Sequence, residues 1–126
     1  MDTNDSTPDI VIVTDRIDSS ELRRLVEAVF GDMVKYVVDL RREVVAVGGE
    51  MHVDAEGVLL DDGSRQDDLW GANYRPGRGV DECIQYESLI NIRPVRGNRG
   101  MYVESAELRQ RIRALTFERI GSGDPL

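Results

Sequence analysis

Hydrophobic positions change their spacing along the chain, and each change marks an element. Ile10 to Val13 is a run of β-branched residues, which reads as a short strand buried on both faces. Asp18 then stands three residues before Glu21, a capping-box spacing, and Leu22, Leu25, Val26, Val29 and Phe30 recur at helical intervals up to Gly31. That predicts a helix from about Ser19 to Phe30. From Met33 to Gly49 the period falls to two: Val34, Tyr36, Val38 and Leu40 alternate with Lys35 and Asp39, and the pattern resumes over Val44 to Val47. The polar break Leu40-Arg41-Arg42-Glu43 reads as a hairpin turn, although neither Gly nor Asn marks it.

In the second half, Asp54 to Asp62 suits a short capped helix stopped by Gly63, and a further turn from Ser64 has Leu69 and Trp70 as its buried anchors. Gly71 to Tyr74 and Cys83 to Arg93 read as two strands joined by the loop Arg75-Pro76-Gly77-Arg78-Gly79. On the second of these, Ile84, Tyr86, Ile90 and Ile92 share one face, Gln85, Glu87, Asn91 and Arg93 share the other, and Pro94 ends the run. Ser105 caps a last helix with Leu108, Ile112 and Leu115 in one stripe. The order β-α-β-β-(short helices)-β-β-α predicts an α+β fold. Its sheet is mainly antiparallel, of four to five strands, with two helices packed on one face. The domain is expected over 9–120, and the small polar residues of 1–8 and 121–126 predict disordered tails.

Composition narrows the class. A length of 126 residues suits one domain, and 40% hydrophobic residues suffice for a core. No apolar run exceeds four residues, so no membrane-spanning helix is expected, and without a signal-peptide pattern the reading is cytoplasmic. One cysteine, Cys83, and one histidine, His52, exclude zinc patterns built from several such ligands. The net charge of −8 repels phosphate backbones and anionic lipid, which disfavours nucleic acid and membrane as partners. The charge is uneven: Glu50 to Asp68 holds seven acidic residues against Arg65, whereas Asn91 to Arg113 holds six arginines against Glu104 and Glu107. Two solvated faces, or pairing of the two segments across the fold, account for this equally.

Four strings, GGEMHVDAE, GSRQDDLWGANY, SLINIRP and GNRGM, occur in this order. Together they resemble an uncharacterised prokaryotic domain-of-unknown-function family of about this length, over Ile10 to Ile120. The most specific pieces are Gly48 to His52, Asp68 to Asn73 and Ser88 to Arg99. The resemblance implies a small stand-alone domain with these polar positions in its signature, and it supplies no substrate.

Two constellations could carry chemistry. If the strand through Val47 continues past Gly48 and Gly49, then Glu50, His52 and Asp54 project from one face at i, i+2 and i+4. An imidazole between two carboxylates suits acid-base catalysis or a divalent metal; alternatively, Asp54 is a helix cap and His52 a strand histidine bonded to a neighbour. In the second, Asn91 and Arg93 lie on a polar strand face, and Gly97-Asn98 lets Arg99 fold back toward Arg93, giving planar donors for a carboxylate or phosphate. Pairing of these arginines with Glu50, Asp54 or Asp68 is the alternative. Asn73, beside a strand glycine, could aim an amide at the same site. Three functions follow: a binding or regulatory domain recognising an anionic small molecule, a small hydrolase- or isomerase-type enzyme, or, on the arginine excess alone, a nucleic-acid binder. Self-association is expected from the sheet edges and from Leu89.

Overall fold

The computed structural model describes residues 9–126. The tail expected over 1–8 lies outside the described residues. Strands β1 (Ile10–Val13), β2 (Val34–Asp39), β3 (Val44–Gly48), β4 (Leu69–Tyr74) and β5 (Ile84–Gln85) form one sheet, and helices α1 (Ser19–Val29), α2 (His52–Asp61) and α3 (Ala106–Arg119) cover it. All pairings are antiparallel, in the order β1-β3-β2-β4-β5. The α+β class and the element order therefore follow the periodicity.

The alternation of side chains decides which helix covers which face. Tyr36, Val38, Val45 and Val47 meet Leu22, Leu25 and Val26 of α1 and Ile112 and Leu115 of α3. Val37, Ala46 and Leu69, pointing the other way, meet Ala55 and Leu59 of α2. The expected pair of helices thus shares one face, and α2 lies on the opposite one. Each fully buried Val or Leu contributes about 1.5–3 kcal/mol. The first core also holds a hydroxyl chain: Tyr36, fully buried, donates to Thr116 Oγ1 (2.7 Å), which donates to the Ile112 carbonyl (2.7 Å).

Local chemistry sets the element ends. Asp18 caps α1 by accepting from the Ser20 amide (3.1 Å), and Ser105 caps α3 by accepting from Leu108 (3.2 Å). The β2–β3 hairpin is built by Asp39, whose Oδ1 accepts from the Arg41 and Arg42 amides, both at 2.9 Å, with Glu43 left-handed at φ 59°.

Three expectations are corrected. The strand foreseen over Cys83–Arg93 stops after Gln85, and a 3-10 turn follows at Leu89–Asn91, opened by Ser88 Oγ accepting from Ile90. Leu69 and Trp70, foreseen as anchors of a helical turn, are the first residues of β4. The segment 121–126, foreseen as disordered, is hydrogen-bonded: Gly123 donates to the Tyr74 hydroxyl (2.9 Å), and its carbonyl accepts from Gly77 and Gly79.

Candidate functional site

β3 does not run on to Asp54. It ends at Gly48, where φ is 117° and a Cβ would lie 2.4 Å from the Asp9 carbonyl, so the glycine admits the close approach of the backbone leading into β1 and not that of a ligand. The backbone then enters α2 at His52. Helical spacing separates the three residues expected on one strand face: His52 is buried, whereas Glu50 and Asp54 are exposed. The acid-base triad is not assembled. Among the described residues no group of three or more His, Cys, Asp or Glu side chains could hold a metal ion.

His52 shares the buried stripe of α2 with Ala55, Glu56 and Leu59, at i+3, i+4 and i+7. The stripe lowers the imidazole onto β4, where Nε2 lies 2.8 Å from the Ala72 carbonyl. A carbonyl only accepts, so Nε2 carries the proton and Nδ1 is left as an acceptor. Burial holds the imidazole below its usual pKa; the Ala72 bond opposes this, and the charge of Lys35 adds to it. Gly71 makes the approach feasible, since a Cβ there would lie 2.7 Å from Ser88 Cβ and 3.2 Å from His52 Cδ2.

Above this floor opens a cavity of about 490 Å³. Its polar wall comes from Lys35, His52, Asn73, Glu87 and Ser88. Lys35 and Asn73 are register partners on β2 and β4, so both project from the face that α2 leaves uncovered beyond its first turn. Asn73 donates to Gln85 Oε1 (3.4 Å), while its own buried Oδ1 has no partner. Met51, Val53, Leu89 and Met101 form an apolar rim, each between 44% and 66% exposed. Sequence reasoning found His52 and Asn73 but missed Lys35, Glu87 and Ser88. The available signal was Lys35, the only lysine, on the polar positions of its strand.

The second constellation is spent on architecture. Asn91 Oδ1 accepts from the Gly71 amide (2.8 Å), and its Nδ2 donates to the Gly71 carbonyl (2.9 Å) and to Met101 (3.0 Å). Asn98 Nδ2 donates to the carbonyls of Asn91, Gly100 and Tyr102, and its Oδ1 accepts from Glu104. The two asparagines thereby shape the loop that walls the cavity. Arg93 donates to the Leu69 carbonyl and stacks on Trp70, 4.7 Å from the ring centre. Burial lowers its pKa against the opposing charge of Glu56. Arg99 is exposed. Neither arginine lines the cavity, whereas His52 and Asn73 do.

Five antiparallel strands between two helical layers, with one mixed polar and apolar cavity beside α2, define an α+β domain with a pocket on one sheet face. Residues 11–119 match the model of the family described as Protein of unknown function (DUF5674). The chain belongs to that family. No curated protein and no solved structure matches it. Among the described residues no helix is long and apolar enough to cross a membrane.

Proposed function

We propose that this protein is a small-molecule-binding domain whose ligand carries an anionic group held by Lys35. The observation that carries this reading is the cavity itself, which gathers the only lysine, the only histidine and the unpartnered Asn73 oxygen beneath an apolar rim. Its volume of about 490 Å³ lies within the range of about 300–1,000 Å³ that ligand pockets occupy. The anion clamp moves from Arg93 and Arg99, which do not line the cavity, to Lys35. The enzyme reading has less support, because Glu50 and Asp54 do not flank His52. Leu89, 66% exposed at the rim, supports self-association, which light scattering at high micromolar concentration tests.

The test is a panel of small carboxylates, with and without an amino group, together with inorganic phosphate, followed by NMR of the Lys35, His52 and Asn73 signals. At least one carboxylate is expected to shift all three, and Lys35→Met is expected to weaken it. If no member shifts these signals, the reading fails.

A further inference from the structure

The cavity joins a cation and an anion that do not neutralise each other. Lys35 and Glu87 both line it, yet among the described residues they form no ion pair within 4.0 Å. The Lys35 ammonium stands 5.5 Å from the Phe30 ring centre instead. On the same wall is a buried acceptor in need of a donor, Asn73 Oδ1. A simple monoanion would satisfy Lys35 while facing the Glu87 carboxylate and leaving the Asn73 oxygen unpaired. A ligand carrying an anionic group and a donor-rich cation a few bonds apart meets all three groups.

Resting on the binding reading above, we infer that the ligand is a free α-amino acid with an apolar side chain. Its carboxylate meets Lys35, and its ammonium, with three N–H donors, meets Glu87 and the Asn73 oxygen. Its side chain lies against Met51, Leu89 and Met101. Two methionines and a leucine give that wall unbranched or flexible surface, which fits unbranched and γ-branched side chains of differing length. Ser88, 4% exposed and held in place by its bond from Ile90, fixes the depth of the pocket above Gly71.

Isothermal titration and amide NMR on the full chain with L-leucine, L-methionine, N-acetyl-L-leucine, L-leucinamide, glycine and hexanoate test the inference. Leucine or methionine is expected to bind and to shift the signals of Lys35, Asn73, Glu87 and Leu89. N-acetyl-leucine, lacking the ammonium, and leucinamide, lacking the carboxylate, are each expected to bind at least tenfold more weakly, and glycine not measurably. Lys35→Met is expected to abolish the preference for leucine over leucinamide, and Glu87→Gln the preference over N-acetyl-leucine. The probe series in the wild-type protein keeps the inference falsifiable if either variant misfolds. Hexanoate or N-acetyl-leucine binding as tightly as leucine overturns the amino-acid class while leaving the anion pocket standing. No binding by any probe overturns both.

Discussion

Asn91 offers the sharpest test of how the pocket wall is held. Its amide pairs with both the N–H and the C=O of Gly71. Asn91→Ala leaves both groups buried without these partners, whereas Met101, the third partner, still accepts from the Ser88 amide (3.1 Å). At about 1–3 kcal/mol for each orphaned group, the loss is about 2–6 kcal/mol, centred near 4. For a domain of this size 1 kcal/mol corresponds to roughly 4 °C, so a fall of about 16 °C in Tm is expected. Asn91→Asp separates hydrogen bonding from packing. It keeps the acceptor for Gly71 but sets a carboxylate oxygen against the Gly71 and Met101 carbonyls. Burial and those carbonyls raise the folded-state pKa of the introduced carboxyl above its ordinary value of about 3.9, so the folded state binds the proton more readily. Stability is therefore regained as pH falls through the folded pKa toward the unfolded one. Urea denaturation at pH 7 and about pH 4.5 reads this directly, as the midpoint difference from wild type at each pH. The reasoning is refuted if both variants lie within about 0.5 kcal/mol of wild type, or if the Asn91→Asp deficit is the same at the two pH values.

Three further outcomes are expected. The sole imidazole resonance should titrate below the usual value of about 6.5; as pH falls through 6.5 the unfolded chain takes up the proton first, so His52 should lower stability until the folded pKa is reached, a trend His52→Gln should lack in denaturant titrations. Arg93→Met should cost about 1–2 kcal/mol through the lost Leu69 bond and Trp70 stacking, and leave ligand affinity unchanged by calorimetry, whereas Arg99→Met should change neither. Tyr36→Phe should lower stability by about 1 kcal/mol in thermal melts, since it removes the donor to Thr116 and creates almost no void.

The regular elements were legible because apolar spacing alone marks them: Leu22, Leu25 and Val26 for α1, Val34, Tyr36 and Val38 for β2. The hairpin was legible too, though its chemical mark was Asp39 and not the Gly or Asn of a two-residue turn. Ile84, Tyr86, Ile90 and Ile92 misled because their alternation is that of a strand. Ser88 and Asn91 override it by bonding backbone groups locally and on β4, an effect visible only once Gly71 is brought alongside. His52 and Asn73 were identified as polar positions on candidate elements. Lys35 and Glu87 were not, because they meet only through β4, where Asn73 pairs with Lys35 on one side and with Gln85, just before Glu87, on the other.

The amide of Asn91 imitates a peptide group, and this bears on how the molecule avoids sticking to copies of itself. β5 pairs only with Asn73 and Tyr74, so the outer N–H and C=O of β4 at Gly71 would otherwise offer a vacant ladder site to any passing extended chain. Asn91 fills that site from within. One side chain supplies the donor and acceptor of a missing strand residue, and the 3-10 turn behind it cannot propagate the ladder outward. A flat edge that could template cross-strand aggregation is thus closed by two hydrogen bonds instead of by a further strand, by Pro or by added charge.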